Sequence, residues 1–590
     1  MIFDTRIYIL NEISKEKLIS APAVNIAEFL CGLEKNLSQN EIPALAAAAA
    51  LAFERAASGS ICLTKEDVGN FIKTNSEILS KITFPDWNEI TNILPESSCC
   101  TTDPASVQRP LVLSGDRIYF YKYWLYEDLL AAKVLNLSCG AGKYAGHTAE
   151  IKAVFAKLFD VKSSEQQKAA ETVIGRRFSV ITGGPGTGKT TTVAKILAGI
   201  LSACEKARII LAAPTGKAAA RMTEALKNSV EDKKGNNNFK EISQDIRRKI
   251  LSLEGQTIHR ILDKKFGKPE KNKENPICAD LIIVDEASMI DIAMFSELLD
   301  ALAEETSLIL LGDKDQLASV DVGNVLADIC GCRELLTEGT VSELKTSRRF
   351  DDAPGIGELA KAVNDQKNAS EIIKICKEKS DLEFIESKKE IKEIICAEAE
   401  QKYQFLSDPN LSPKEILNNL NNFKILCPSK EDSLGVEKLN DEIEKAIVGK
   451  DNYDACYNGR PIMITRNDYD NTRLVNGDCG VILKRDGATK AWFEQNGGTK
   501  SFNISELPAF ETVYAMTIHK SQGSEYNSVL VVLPEKDMQI LTKELLYTAI
   551  TRAKKNIEIV SSKEVLQSTL ERSAARRSGF EEALRKRKQA

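Results

Sequence analysis

Gly183-Gly184-Pro185-Gly186-Thr187-Gly188-Lys189-Thr190 is the stretch on which the fold turns. Ahead of it, Phe178-Ser179-Val180-Ile181-Thr182 is short and β-branched; behind it, Thr191-Thr192-Val193-Ala194-Lys195-Ile196-Leu197 has apolar residues at helical spacing. Strand, glycine loop and helix in that order form the context of a phosphate-binding loop. The glycines let backbone N–H groups point inward around a polyphosphate, and the helix N-terminus adds partial positive charge. The expected nucleotide contacts are Gly183, Gly184, Pro185, Gly186, Thr187, Gly188, Lys189, Thr190 and Thr191. Lys189 would reach the β- and γ-phosphates of ATP, and the Thr190 hydroxyl would ligate Mg²⁺.

A chain of 590 residues holds about three or four domains by length alone. At 43% hydrophobic and 28% charged it has the composition of a globular protein with full cores. The net charge of −6 gives no global basic field, so nucleic acid would have to be held in a local groove or through a partner. The last twenty residues differ, with seven Lys and Arg against three Glu, a net of +4 around Arg585-Lys586-Arg587-Lys588. That run reads as a solvated, frayed tail, with phosphate contact as the alternative. The 14 cysteines are scattered without paired zinc-knuckle spacing and only three His are present, so free thiols in a reducing cytoplasm are expected. Met1-Ile2-Phe3-Asp4-Thr5-Arg6 opens no signal peptide, and no run approaches a membrane span. The expected location is therefore cytoplasmic, with no membrane partner.

Residues 1–150 read as mainly helical, with an alanine-rich buried helix over 44–57 and a hairpin over 110–120; a docking role is expected there. From 151 to 345 strands alternate with helices. Arg208–Ala212, Leu281–Val284 and Leu308–Leu311 join Phe178–Thr182 in an α/β unit with a parallel sheet and ligands at the strand C-ends. Residues 231–245 are a polar excursion, read as a surface loop. A second α/β unit covers 346–451 and 511–590, with strands at Phe423–Cys427, Ser528–Leu533 and Ile557–Val560. Between its two parts, 452–510 has short strands separated by Asn, Asp and Gly turns, which predicts a small inserted β-barrel.

Asp285-Glu286 ends the Leu281–Val284 strand. Asp285 is the expected Mg²⁺ partner and Glu286 the group that orients and deprotonates the attacking water, with a helix cap as the bland alternative. In Gly312-Asp313-Lys314-Asp315-Gln316, Gln316 is a candidate sensor of the γ-phosphate, or a plain loop amide. Arg349 in Ser347-Arg348-Arg349-Phe350 and Arg552 in Tyr547–Ala553 belong to the second unit; across a cleft they could neutralise charge developing on the γ-phosphate, although each alone could be a surface residue. The catalytic set is thus Lys189, Asp285, Glu286, Gln316, Arg349 and Arg552. Ala213–Arg221 and Thr517–Glu525 offer hydroxyls, amides and N–H groups that suit a phosphodiester backbone, or equally polar caps.

The order of these stretches is similar to the motif series of superfamily 1 helicases. Val284-Asp285-Glu286-Ala287-Ser288-Met289-Ile290-Asp291, Asn476-Gly477-Asp478 and Ala515–Glu525 resemble the RecD family, alpha subunits of exodeoxyribonuclease V (RecBCD), over about 110 to 580. The resemblance implies an ATP-dependent 5′→3′ DNA translocase with two RecA-like motor domains, a small β-barrel insert and a mainly helical N-terminal docking domain. It further implies RecB-like and RecC-like partners in a heterotrimer acting on single-stranded and duplex-end DNA in double-strand break repair. Gln166, with Gln167 beside it, falls where the family's adenine-reading glutamine lies. The rival readings are a free-standing RecD-like helicase, an ATP-switched regulatory subunit, and a nuclease using Asp313 and Asp315.

Overall fold

The computed structural model describes all residues except 1–7, 80–81, 161–162, 232–237, 266, 348, 350–352, 388–390, 450–453, 469–470, 496–497, 575 and 590. The opening Met1–Arg6, the centre of the polar excursion, and Arg348 and Phe350 therefore lie outside the described residues.

Two parallel sheets organise the molecule. The first orders its six strands Val341–Leu344, Phe178–Gly183, Ser307–Gly312, Leu281–Val284, Ile209–Ala213, Gly255–Thr257, all parallel. Side-chain alternation splits its core in two. Phe178, Val180, Ile282, Val284, Leu308 and Leu310 face the helix Ile292–Asp300. Ile181, Leu211, Ile283, Ile309 and Leu311 face Lys189–Ala203 and the helices before it. The second sheet orders Leu382–Glu386, Ala553–Ser561, Tyr526–Val532, Phe423–Cys427, Ala515–Thr517, again all parallel.

The segment 460–512 forms a five-stranded antiparallel sheet, Gly498–Asn503, Ala488–Gln495, Cys479–Arg485, Arg460–Ile464, Phe510–Thr512. Its apolar side chains Ile462, Ile464, Ile482, Ala491, Phe493 and Phe502 gather in one core. The N-terminal part is mainly helical and includes the expected hairpin, Leu111–Ser114 against Arg117–Phe120. Its helix Ile42–Ala57 buries a run of alanines that lets neighbouring helices approach closely. None of the fourteen cysteines is joined in a disulfide. Among the described residues no helix is long and apolar enough to cross a membrane.

The basic tail departs from its sequence reading. Phe580–Gln589 is a helix that packs on Tyr121–Cys139, with Phe580 and Leu584 buried in the first sheet's core. The i,i+4 apolar pair docks the helix, while Arg585, Lys586 and Lys588 stay exposed and Arg587 pairs with Asp128 at 2.6 Å. Phe580→Ala should cost this docking about 3 kcal/mol. Amide hydrogen exchange in 121–139 should accelerate in that variant; a solvated tail would leave it unchanged.

Candidate active site

The phosphate loop joins the buried strand Phe178–Gly183 to the helix Lys189–Ala203. Gly186 and Gly188 have φ of +77° and +82°, a region that side chains resist. Space excludes a side chain there as well: a Cβ on Gly186 would collide with the Arg349 side chain, and one on Gly188 with the Gln166 amide. The Lys189 ammonium donates to the carbonyls of Gly183 and Gly184 at 2.5 and 3.1 Å, and Thr187 Oγ1 donates to Gly184 O at 2.8 Å. Gln166 Nε2 donates to the Thr187 carbonyl at 2.8 Å, whereas Gln167 turns to Glu171 on its own helix. Gln166 is thus the one of the two that meets the loop. Among the described residues no hydrogen bond fixes the Thr190 and Thr191 side chains, and both are half-buried.

Asp285 follows the Leu281–Val284 strand, with its N–H bonded to Ala212 O at 2.9 Å. Burial, then the adjoining Glu286 charge, raises the Asp285 carboxyl to about 6, with Lys189 pulling the other way. Glu286 has a left-handed backbone at φ 52°, an uncommon conformation for a side chain of this kind and one typical of strained functional positions.

The loop after Ser307–Gly312 binds the second unit. Asp313 Oδ2 accepts from Tyr547 OH at 3.0 Å and from Gln316 Nε2 at 3.1 Å. Gln316 Oε1 accepts from Arg552 Nη2 at 2.9 Å, and both residues are buried, 7% and 3% exposed. Arg552 also donates to the carbonyls of Thr548 and Ser524, each at 3.2 Å. Leu317 N–H donates to Thr548 Oγ1 at 2.8 Å, and its carbonyl accepts from Gln522 at 3.1 Å. Burial raises the Asp313 carboxyl, while Lys189 and the hydrogen bonds from Asp315, Tyr547 and Gln316 oppose the rise.

Arg349 lies against Gly186, and Ser347 Oγ donates to Pro185 O at 2.8 Å. Arg349 Nη2 donates to Glu525 Oε1 at 2.5 Å, while Nη1 is buried with no hydrogen-bond partner among the described residues. Glu525 also meets Arg221 at 3.2 Å and Lys554 at 3.3 Å. Burial alone would raise its carboxyl, but Arg349, Arg221 and Lys554 outweigh that and hold it near 2. The two candidate backbone grips adjoin across the cleft. Arg221 donates to Gly523 O at 2.5 Å, Gly523 at φ +69° comes against Ala218, and Lys217 donates to Gly477 O at 3.2 Å.

Sequence reading named every one of these loops but not their pairings, and Glu525, Tyr547 and Thr548 received no role of their own. Asp313, weighed as a nuclease carboxylate, is a structural acceptor here. Among the described residues no group of three or more His, Cys, Asp or Glu side chains could hold a metal ion.

Family models match three regions: the RecBCD enzyme subunit RecD N-terminal domain at 15–119, an AAA domain at 166–322, and the UvrD-like helicase C-terminal domain at 512–560. The RecBCD enzyme subunit RecD of Mycolicibacterium smegmatis is 34% identical over 553 residues, covering 91% of this chain and 93% of that protein. The chain belongs to the RecD family. The ATP-dependent RecD2 DNA helicase of Deinococcus radiodurans is 28% identical over 397 residues, covering 66% of this chain and 48% of that protein. A solved structure of Bacteroides Pif1 bound to ssDNA is 16% identical, covering 69% of this chain and 94% of that one, with a TM-score of 0.38. The RecD likeness extends well below residue 110, where the sequence motifs become sparse.

Lys189→Gln should abolish ATP turnover while leaving the circular-dichroism spectrum unchanged. Arg349→Ala should lower turnover by about a thousandfold, as loss of an arginine finger does; steady-state phosphate release measures both.

Proposed function

We propose that the protein is an ATP-dependent 5′→3′ single-stranded DNA translocase and helicase, working as the RecD-like subunit of a cytoplasmic heterotrimer with RecB-like and RecC-like partners. It would act on single strands and duplex ends in double-strand break repair and recombination. The two RecA-like motors are 151–345 and 346–451 with 511–590. Residues 452–510 are the insert, read as a small barrel; its five-stranded antiparallel sheet gathers one apolar core, and 1–150 are the docking domain.

The buried Nη1 of Arg349 carries this reading: it meets no acceptor among the described residues, on a side chain whose Cβ comes against Gly186 of the phosphate loop. A γ-phosphate is the acceptor that chemistry asks for. Arg552, with its guanidinium on Gln316, brings a second cation from the same unit. Lys189 and the N–H groups of Gly184 and of Gly186–Thr191 would hold the phosphates, with Gln166 at the loop's flank toward the base. Thr190 and Asp285 fit Mg²⁺, being hard oxygen donors at a helix N-terminus and a strand C-end. Bound there, Mg²⁺ would supply charge neutralisation at the phosphates. Glu286 would orient and deprotonate the attacking water, and Gln316 would sense the γ-phosphate.

Closure brings Arg221 of one grip onto Gly523 and Glu525 of the other, so opening separates the grips and changes how each holds a DNA backbone. Directed stepping requires that difference between states. The RecD N-terminal match favours work within a complex over a free-standing helicase. ATP-driven unwinding should open a duplex with a 5′ single-stranded tail and leave the 3′-tailed duplex closed. The reverse polarity, or ATP hydrolysis without unwinding even in the reconstituted complex, would overturn the motor reading.

A further inference from the structure

Arg572, Arg576 and Arg577 touch three parts of the molecule within six positions. Arg572 is held on the second unit by the Asp537 carboxylate at 2.7 Å and the carbonyls of Met538 and Leu541 at 2.8 and 2.9 Å. Arg576 then enters the loop that follows Gln316. Its Nη1 donates to the carbonyls of Asp321 at 2.6 Å and Gly323 at 2.7 Å, and its Nη2 donates to the Ser319 carbonyl. Ser319 Oγ donates to Asp321 O at 2.9 Å, which keeps these acceptors converged. One residue further, Arg577 pairs with Glu66 at 2.5 Å and its carbonyl accepts from Ile61 N–H at 2.8 Å. The N-terminal domain also reaches the loop directly, through Gly323 N–H on the Gly59 carbonyl at 2.8 Å. Gly59, at φ +88°, lies so close to the Arg576 guanidinium that a Cβ there would collide with it.

We infer that Arg576 is a positioning residue for ATP turnover, fixing the Leu317–Gly323 loop and through it Gln316, and making that loop's place depend on the N-terminal domain. The inference rests on the role proposed for Gln316. A planar guanidinium fork can satisfy three converging carbonyls at once, which a lysine ammonium on a flexible stem does less well. The loop is pinned at its start by Thr548 and Gln522 and at its end by Arg576 and Gly59. Displacement at the far end is therefore passed toward Gln316 along a short, hydrogen-bonded stretch. A protein seated on the N-terminal domain would tune turnover by this route.

The test measures DNA-stimulated ATP turnover of the full chain with oligo(dT), per site counted by titration with a fluorescent ATP analogue. Arg576→Ala should bind the analogue within about twofold of the parent yet turn over about tenfold more slowly, the scale of a misplaced catalytic group. Arg576→Lys should recover part of the loss, and Ser319→Ala, a milder change to the same loop, should lose about threefold. In a Gln316→Ala background, adding Arg576→Ala should cost less than twofold, because the effect passes through Gln316. An equal cost in both backgrounds, or unchanged turnover per site, overturns the inference while the ATP-site reading stands. If Gln316→Ala alone leaves turnover unchanged, the sensor reading and this inference fall together. Should Arg576→Ala fail to fold, Ser319→Ala decides: unchanged turnover per site rejects the inference.

Discussion

One carboxylate oxygen ties the two parallel sheets together. Asp313 Oδ2 takes a hydrogen bond from Tyr547 on the second unit and another from Gln316 on its own loop. Gln316 passes the connection on to Arg552. All four side chains are buried, and a buried polar group without a partner costs about 1–3 kcal/mol. Each member of the chain Tyr547–Asp313–Gln316–Arg552 is therefore committed to the next, and one connected network spans the cleft between the sheets. The Lys189 charge helps to keep the Asp313 carboxyl from rising further, so the phosphate loop and the latch are electrostatically linked.

That joint explains the placement of the remaining groups. In a parallel sheet the loops that can meet a ligand lie at the strand C-ends. Gly184, Asp285 and Asp313 all follow such ends in the first sheet. The second unit faces them with Arg349, Glu525, Tyr547 and Arg552. Glu525 gathers Arg349, Arg221 and Lys554 around one ionised carboxylate, which links the phosphate side of the cleft to the Ala213–Arg221 segment. The proposed nucleotide contact Arg349 and the candidate DNA grips thus share a charged partner, the physical requirement for coupling one to the other.

Much of this was legible in the sequence, because local periodicity and glycine placement are local properties. The P-loop context, four of the first sheet's six strands and the change of texture near 452 all read directly from residue patterns. Gly255–Thr257 and Val341–Leu344 did not, since they are short and half-buried and carry no continuous apolar run. The tail was misread because counting charge over Arg585–Lys588 ignores Phe580 and Leu584, whose spacing docks the helix. Pairings such as Tyr547 with Asp313 and Arg552 with Gln316 join residues 234 and 236 positions apart. Nothing local encodes such a contact. Gln166 and Gln167 were likewise equivalent on paper, and only the helix direction shows which of them meets the loop.

The central claim is that Gln316 and Arg552 act as one latch across the cleft. A double-mutant cycle on DNA-stimulated ATP turnover measures it most directly, with Gln316→Ala, Arg552→Ala and both together. The account predicts strong non-additivity, the double variant losing little more than the worse single one, because either change breaks the same closure. Losses that multiply would show that the two side chains contribute independently, and would contradict it.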